Sequence, residues 1–361
     1  MVLTIGGLSF RVKQYNAGLA GWTLCYNLPV HLISRRQRSD FSSGAFERLL
    51  PRWQVVTPGS VEVERVQYLN QPNCYRLSNG TVEVIVTTDV GPRVVRYGFV
   101  GSENILGEIP DLKIVTELGE WRAWGGHRLW TAPEDLPRSY SPDNSPLEFK
   151  ISGDNAVWLL QPVEPKTGIQ KEMTVTLSPE GSEVTVHHRI TNRHPGRVEL
   201  APWAVTIMQA GGMTILPQEP YRSHDDYLLP ARPLVLWHYT DLSDPRWTMG
   251  KKFIRLCSDS SMETSQKIGI ANKQGWAAYW KNRTLFVKRV AYNEGASYPD
   301  YGSNVETYTA GSFIELETLG PLQSLQQGES VEHVETWSLY SDVDIGATEA
   351  SLEAALAGVR R

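Results

Sequence analysis

The stretch Asn79-Gly80-Thr81-Val82-Glu83-Val84-Ile85-Val86 decides the fold class of this chain. Asn-Gly favours the positive φ angles that both central residues of a type I′ hairpin turn require. The residues after it are β-branched or alternate between apolar and polar, as they do in a strand with one buried face. The stretch therefore predicts an antiparallel hairpin, with a partner strand on the N-terminal side of Asn79.

Short segments of the same kind recur from residue 61 onward, separated by Gly, Pro, Asn and Asp. No helical pattern lies between them, which argues against a βαβ fold. They lie at 61–66, 81–86, 93–97, 173–177, 183–187, 284–290, 312–317 and 332–337. We therefore expect an all-β fold in which two large antiparallel sheets pack against each other.

The chain divides into an irregular beginning and a long β domain. Residues 1–60 are weakly patterned, and we expect an N-terminal extension there. Its basic run, Arg35-Arg36-Gln37-Arg38, is typical of a solvated surface. Residues 61–343 carry the strand-like segments and form the predicted β domain.

The C-terminal segment, residues 344–361, has a different period. Apolar residues recur there at the spacing of an amphipathic helix, and Thr348 or Ser351 can cap its N-terminus. These apolar residues are Leu352, Ala355, Leu356 and Val359. We expect one short C-terminal helix.

Composition excludes several classes of function. The chain has 361 residues and a formal net charge of −5, with no basic patch dense enough to follow a phosphate backbone, so nucleic acid is not an expected partner. No apolar run approaches the ~20 residues of a membrane helix, and no secretion signal is visible at the N-terminus. Cys25, Cys74 and Cys257 are dispersed, which disfavours a zinc knuckle or a disulfide framework and favours a cytoplasmic location.

The stretch Trp124-Gly125-Gly126-His127-Arg128-Leu129-Trp130-Thr131-Ala132-Pro133-Glu134 carries most of the chemistry. Sugar rings stack their C–H faces on aromatic rings, while their hydroxyls bind charged or amide groups. Two indoles beside an imidazole, a guanidinium and a carboxylate meet both demands. The alternative is that the indoles are core residues and His127 is an ordinary loop histidine.

A second candidate is the stretch Phe313-Ile314-Glu315-Leu316-Glu317-Thr318. Side chains alternate along a strand, so Glu315 and Glu317 share one face, opposite Ile314 and Leu316. Two carboxylates on one concave face can abstract a hydroxyl proton, and their proximity raises the pKa of one of them. The alternative is a solvated strand face. Glu306 and Tyr308, on the preceding strand-like segment, extend the same polar and aromatic character.

The chain resembles the aldose 1-epimerases, or galactose mutarotase-like proteins. The resemblance rests on Leu316-Glu317-Thr318, the Gly320-Pro321 and Gln327-Gly328-Glu329 segments that follow it, Gly126-His127, and Thr88-Asp89-Val90-Gly91-Pro92-Arg93-Val94. It extends from about Val61 to Tyr340 and is greatest to an uncharacterised subgroup, DUF4380. The fold that it implies is the two-sheet supersandwich of that superfamily.

The resemblance also implies a mechanism that needs no cofactor and no metal. Glu317, with Glu315 in reserve, takes the proton of the C1 hydroxyl, and His127 protonates the ring oxygen of an aldose, so that the ring opens and closes on its other face. Arg128 and Arg93 hold hydroxyls or an acidic substituent. The remaining sugar contacts are expected from Trp124, Trp130, Glu134, Trp203 and Tyr308.

The chain departs from the family pattern at one important point. Family members carry a second histidine that contacts the ring oxygen, whereas the nearest counterpart here is Ala201-Pro202-Trp203. Two other functions therefore stay open. One is a carbohydrate-binding sandwich without catalysis, and the other is a domain related to glycan hydrolases or lyases. His187-His188 cannot ligate one metal together, because the two rings point to opposite faces of a strand.

Overall fold

The computed structural model describes residues 59–358 and, before them, the backbone of two short strands, β1 (Val2–Ile5) and β2 (Leu8–Arg11). The chain separates into two compact units, Met1–Gln54 and Val55–Arg361. In the first unit, β1 and β2 pair antiparallel. The basic run at 35–38 lies outside the described residues, and the boundary predicted at residue 60 stays a prediction.

Strands make up nearly all of the regular secondary structure in the described part of the second unit. Its strands are β3 (Glu62–Tyr68), β4 (Gln71–Ser78), β5 (Val82–Val86), β6 (Arg93–Phe99), β7 (Glu108–Thr116), β8 (Gly119–Gly125), β9 (His127–Ala132), β10 (Glu148–Ser152), β11 (Ala156–Leu160), β12 (Ile169–Leu177), β13 (Val184–Asn192), β14 (Val198–Met208), β15 (Met213–Pro217), β16 (Leu234–Leu236), β17 (Trp247–Met249), β18 (Phe253–Cys257), β19 (Gln266–Ile270), β20 (Trp276–Lys281), β21 (Thr284–Val290), β22 (Val305–Ala310), β23 (Phe313–Leu319), β24 (Gln323–Leu325) and β25 (Ser330–Tyr340). A 3-10 turn at Arg138–Tyr140, a single turn α1 (Pro299–Gly302) and the helix α2 (Glu349–Leu356) complete it.

These strands form two large antiparallel sheets, which confirms the predicted fold class. One sheet has ten strands in the order β10-β11-β12-β13-β25-β21-β20-β15-β18-β17. The other has eleven, in the order β16-β19-β22-β23-β14-β9-β6-β5-β4-β3, with β24 paired to β14 outside this path. The hairpin β7–β8 forms a separate two-stranded sheet. Among residues 59–358, no helix has the length and apolarity to cross a membrane.

The main hydrophobic core lies between the two large sheets. Side chains of the eleven-stranded sheet, among them Leu77 and Leu316, join the same buried cluster as Val175, Phe286 and Trp337 of the ten-stranded sheet. Because side chains alternate along each strand, every second side chain of the eleven-stranded sheet points away from this core, to the opposite face of the sheet. That second face carries the candidate site.

The hairpin at Asn79-Gly80 forms, although its turn differs from the predicted type I′. Three residues, Asn79 to Thr81, separate β4 from β5, and the first paired residues after the turn are Ser78 and Glu83. Gly80 has a φ of 83°, but Asn79 does not have a positive φ. Instead, the Asn79 side-chain oxygen accepts hydrogen bonds from the backbone N–H groups of Thr81 and Val82 at 2.9 and 3.0 Å. The Asn side chain thus closes a longer turn, because it replaces a backbone acceptor.

The predicted C-terminal helix is present as α2. Thr348 is its N-cap, and the Thr348 hydroxyl accepts a hydrogen bond from the backbone N–H of Ser351 at 3.1 Å. Leu352 and Leu356 are buried in a cluster with Ile215 and Phe253. The helix therefore covers the outer side of the ten-stranded sheet.

Candidate functional site

A cavity of about 450 Å³ lies on the face of the eleven-stranded sheet that is turned away from the main core. Strands β9, β14, β19, β22 and β23 supply its floor, and the hairpin β7–β8 supplies one wall. Its lining residues are Leu112, Ile114, Trp121, Ala123, Arg128, Trp130, Glu134, Tyr140, Trp203, Ile207, Tyr239, Ser265, Lys267, Tyr308, Phe313 and Glu315.

Strand alternation and register bring the functional side chains together. β14 lies between β9 and β23, and its Val205 is paired with Arg128 on one side and Glu317 on the other. Trp203 is paired with Trp130. Because directly paired residues point to the same face of a sheet, these side chains of three neighbouring strands all reach the cavity side.

Aromatic rings form much of the cavity surface. The ring centroid of Trp130 lies 5.2 Å from that of Trp203 and 5.2 Å from that of Trp121, and Tyr140 lies 4.8 Å away. Tyr239 and Tyr308 contribute a second pair with ring centroids 6.5 Å apart. Rigid apolar rings with polar edges suit the C–H faces and hydroxyls of a sugar ring.

The Arg128 guanidinium is buried among these rings. Its central carbon lies 4.3 Å from the centroid of Trp130 and 5.2 Å from that of Trp121, which is the range of cation–π contacts. One terminal nitrogen lies 3.3 Å from a Glu315 carboxyl oxygen. The Nε and Nη1 atoms make no hydrogen bond within the described part of the chain. The cation is therefore held in place mainly by stacking.

Glu315 faces the cavity and has the electrostatics of an acid–base group. Burial is the largest influence and raises its pKa from 4.5 to about 7; Glu317 adds to the rise, whereas Arg128 and Lys267 oppose it. A carboxyl group with a pKa near neutrality populates both protonation states at physiological pH. Glu315 can therefore accept a proton and return it.

A network of buried charges surrounds Lys267, which lines the cavity. The Lys267 ammonium lies 2.8 Å from Glu306 and 3.1 Å from Glu317, and the rings of Trp203 and Trp237 lie 4.7 Å from it. Burial opposes its charge, but Glu306 and Glu317 raise the pKa of Lys267 well above its usual value. Lys267 is therefore a fixed positive charge at the cavity surface.

The Glu317 carboxylate is held from two sides. One oxygen accepts hydrogen bonds from the Trp203 indole N–H at 2.7 Å and from Lys267 at 3.1 Å. The other oxygen is buried without a hydrogen-bond partner among the described residues. The side chain has no solvent exposure and is absent from the cavity lining. Glu317 therefore orients Lys267 and Trp203 from beneath.

At the rim, a carboxylate and two phenols extend the polar lining. The Tyr140 hydroxyl donates a hydrogen bond to Glu134 at 2.5 Å. Tyr308 and Ser265 share a hydrogen bond of 2.9 Å between their hydroxyls. These groups offer both donors and acceptors to hydroxyls of a bound ligand.

The structure brings together six of the ten predicted site residues at the cavity. They are Arg128, Trp130, Glu134, Trp203, Tyr308 and Glu315. Glu317 lies directly below them. His127, Trp124 and Arg93 do not line the cavity.

His127 is the main correction to the sequence analysis. It precedes Arg128 on β9 and therefore points to the opposite face of the sheet, into the core. There its Nε2 atom lies 2.7 Å from His188 Nε2, on the ten-stranded sheet, and the side chain has no solvent exposure. Since Glu315 and Glu317 are on the cavity face, His127 cannot protonate a sugar ring that these carboxylates contact. The structure therefore does not bring His127 and Glu317 together at one site.

Trp124 and Arg93 also lie outside the cavity, each for a local reason. On β8 the residues Trp121 and Ala123 point to the cavity, and Trp124 has a φ of 57° and contacts the Arg122 guanidinium instead. Arg93 is fully buried and forms an ion pair with Asp143 at 2.7 Å. It also donates to the backbone carbonyls of Arg122 and Ala123, at 3.0 and 3.1 Å. Arg93 therefore holds in place the part of β8 that contains Arg122 and Ala123.

Several lining residues were missed by the sequence analysis. Trp121 had a usable signal, because it alternates with Ala123 within a strand that ends at Gly125. Lys267 had none, since the segment Gln266–Ile270 reads as an ordinary short strand. Tyr140 and Tyr239 lie outside the strands.

Comparison with known proteins supports the fold. No family model and no curated protein sequence matches the chain. A candidate mutarotase, YeaD, from Salmonella typhimurium has a similar structure, with a TM-score of 0.51 and 12% identity over 81% of this chain and 97% of that one. A TPR-domain containing protein from Parabacteroides distasonis has a TM-score of 0.50 and 14% identity over 76% of this chain.

The match covers 49% of the Parabacteroides protein, so this chain spans about half of its length. A galactose mutarotase-like protein from Lactobacillus casei is also similar, with a TM-score of 0.47 and 11% identity over 74% of this chain and all of that one. At 12% identity, the similarity to the Salmonella typhimurium protein shows a common architecture and nothing more. The mutarotase-like sandwich predicted from the sequence is therefore confirmed as a fold.

Proposed function

We propose that this chain binds a sugar in the cavity and interconverts its anomers by opening and closing the ring. The observation that carries the proposal is the position of Glu315, whose carboxyl has a pKa of about 7 and faces a cavity walled by Trp130 and Trp203. Membership of the DUF4380 subgroup and a cytoplasmic location stay predictions from the sequence.

Glu315 supplies the proton transfer in the proposed reaction. Its carboxylate form takes the proton of the C1 hydroxyl while the bond between C1 and the ring oxygen breaks, which gives the open-chain aldehyde. After rotation about the C1–C2 bond, the ring oxygen attacks the other face of the aldehyde, and Glu315 returns the proton to the C1 oxygen. One residue therefore serves both directions, and no net proton is consumed.

Lys267 stabilises the ring oxygen while it carries negative charge. Its ammonium is kept protonated by Glu306 and Glu317, so it acts by charge and hydrogen bonding and keeps its proton. A fixed cation in a site that excludes water stabilises a developing oxyanion much more than it would in bulk water. Arg128, Glu134 and Tyr308 hold the other hydroxyls of the sugar.

The reaction is tested by exchange NMR, which measures the rate between α and β anomers at equilibrium. We expect the wild-type chain to accelerate exchange for at least one member of a panel of aldoses and aldose phosphates. Glu315→Gln should slow the exchange by about 10²–10⁴-fold, the usual contribution of one positioned acid–base group. Glu332→Gln is the matched control, because Glu332 is a half-exposed glutamate on β25.

A sugar-binding protein without catalysis is the second candidate, and the orientation of His127 favours it, because the expected acid is on the wrong face. Calorimetry separates the two functions. Binding of a sugar with an unchanged exchange rate would support the passive binder and contradict the role of Glu315. No binding of any sugar would contradict both.

A further inference from the structure

The core between the two sheets contains a cluster of buried polar side chains that the proposed function does not use. The eleven-stranded sheet contributes His127, Thr206 and Thr318, and the ten-stranded sheet contributes His188, Lys288, His333 and Glu335. Each is nearly or fully buried. Such groups are costly in an apolar core unless each one is paired.

Two imidazole nitrogens of this cluster face each other. His188 Nδ1 lies 2.9 Å from the backbone carbonyl of His333, which can only accept, so this nitrogen carries the proton and His188 Nε2 bears a free lone pair. His127 Nε2 lies 2.7 Å from His188 Nε2, so it donates its N–H to that lone pair. His127 Nδ1 lies 2.8 Å from the Thr206 hydroxyl. The two Nε2 atoms are therefore joined by one hydrogen bond, with a single proton between them.

The Glu335 carboxylate completes the set. One of its oxygens lies 3.8 Å from His127 Nε2 and accepts a hydrogen bond from the Trp337 indole N–H at 2.8 Å. The other Glu335 oxygen lies 3.0 Å from the Lys288 ammonium. A neutral imidazole nitrogen with a lone pair and a carboxylate oxygen are the groups that bind metals.

We propose that His127, His188 and Glu335 form a binding site for a divalent transition metal of the zinc class, which ties the two sheets together. The three ligand atoms lie within 4.8 Å of one another. Zn²⁺ with bonds of ~2.0 Å needs tetrahedral ligand atoms about 3.3 Å apart, so side-chain shifts of about 1.5 Å or less close the site. Two histidines and one carboxylate are a ligand set that Zn²⁺ accepts.

The surroundings of the imidazoles fit ligands of a metal. Metal-bound histidines usually donate their second ring N–H to a carbonyl, a carboxylate or water, which fixes the ring. His188 already makes this contact with the carbonyl of His333. For His127, the Thr206 hydroxyl can donate to Nδ1 or accept from it, so a metal at Nε2 requires only that the proton moves to Nδ1 and the hydroxyl turns.

Lys288 is the group that opposes a cation here. Its ammonium lies 3.0 Å from the other Glu335 oxygen and 2.6 Å from the Thr206 hydroxyl. Replacing it by methionine removes the competing charge and leaves Glu335 without its counterion. The proposal therefore expects Lys288→Met to bind metal more tightly than the wild type and to depend on it for stability. If the cluster is only a structural hydrogen-bond network, Lys288→Met should be destabilised, and added metal should not restore its stability.

The test uses tag-free full-length chain produced in medium supplemented with Zn²⁺ or Co²⁺, because the buried site has to fill during folding. We expect about one metal per chain by mass spectrometry, as for a single structural site. The Co²⁺ form should show the visible absorption of a tetrahedral ion with nitrogen and oxygen ligands. His188→Gln should lose both signals. His187→Gln is the matched control, because His187 is the adjacent histidine on β13 and points outward.

Each outcome of these measurements either supports the metal site or overturns it. Less than about one-tenth of an equivalent of metal in the wild type and in Lys288→Met overturns the proposal. Equal metal content in His188→Gln and wild type also overturns it. If His188→Gln does not fold, as judged by circular dichroism, the Co²⁺ spectrum of the wild type and the metal content of Glu335→Gln decide. The result is independent of sugar binding, since the cavity lies on the other face of the sheet.

Discussion

The Glu315 carboxyl lies 3.3 Å from the Arg128 guanidinium, across β14, at the wall of the cavity. The two partners differ in how their charge responds to pH. An arginine stays charged, whereas the pKa of Glu315 is about 7. Burial and the neighbouring Glu317 outweigh the attraction of the guanidinium. The wall thus contains a permanent cation beside a group that gains and loses its proton near neutrality, and this arrangement has consequences for stability as well as chemistry.

The raised pKa of Glu315 predicts a pH-dependent stability. Because the folded pKa, about 7, exceeds the ordinary 4.5, the folded chain binds more protons than the unfolded chain between these values, and the free energy of unfolding falls as pH rises through this window. Glu315→Gln removes this contribution. Urea denaturation at several pH values should show the variant gaining stability relative to wild type from about pH 4.5 to 7, with no further gain above. A constant difference over the window would contradict the raised pKa.

Strand periodicity predicted which side chains share a face within one strand. Glu315 and Glu317 do share one, opposite Ile314 and Leu316, as the alternation in that segment indicated. Periodicity gives no information on which faces of two distant strands meet. That depends on the register of β14 with β9 and β23, which places Arg128 on the cavity side and therefore sends His127 into the core.

Long-range packing also explains the other errors. Arg93 resembles a ligand-binding arginine in the sequence, but its partner Asp143 comes from a loop whose position no local pattern reveals. Lys267 was missed because its role depends on Glu306 and Glu317, which belong to two other strands. The fold class was predictable because alternation is a local property; the site was predictable only where its residues lie close together in sequence.

Trp130 and Trp124 form a matched pair for testing the cavity. Trp130 lines it and Trp124 does not. For a sugar that binds the wild type, Trp130→Leu should weaken binding about tenfold, or about 1.4 kcal/mol, because an aromatic stacking surface is lost. Trp124→Leu should leave the affinity unchanged. Calorimetry checks both, with circular dichroism to verify folding. Equal losses in the two variants would mean that the sugar does not contact the Trp130 side of β9.

The buried ion pair of Arg93 and Asp143 should contribute strongly to stability. Asp143→Asn keeps the shape but leaves a fully buried guanidinium without its counterion, and breaking a buried pair costs about 3–5 kcal/mol. The matched control is Asp342→Asn, whose carboxylate is exposed and 3.7 Å from Arg283, and which should cost less than about 1 kcal/mol. Chemical denaturation measures both. Similar small losses would show that the backbone carbonyls of Arg122 and Ala123 suffice to hold Arg93.

Lys267 should contribute strongly to the stability of the fold, because it is the cation between two buried carboxyl groups. In Lys267→Met, the buried carboxyls of Glu306 and Glu317 lose their shared cation, and we expect a loss of about 3–5 kcal/mol at neutral pH. Burial already raises the pKa of Glu306 well above its usual value, and removal of Lys267 raises it further. The variant should therefore lose stability as pH rises, since the folded state retains a proton that the unfolded state has released.

A second substitution separates this charge effect from lost packing. The double variant Lys267→Met/Glu317→Gln removes one carboxylate together with the cation, and it should recover most of the lost stability while keeping an acceptor for the Trp203 indole N–H. Denaturation of the single and double variants at matched pH completes the test. If the double variant is no more stable than Lys267→Met, the loss comes from packing of the lysine stem between Trp203 and Trp237, and the charge network around Lys267 has no energetic role.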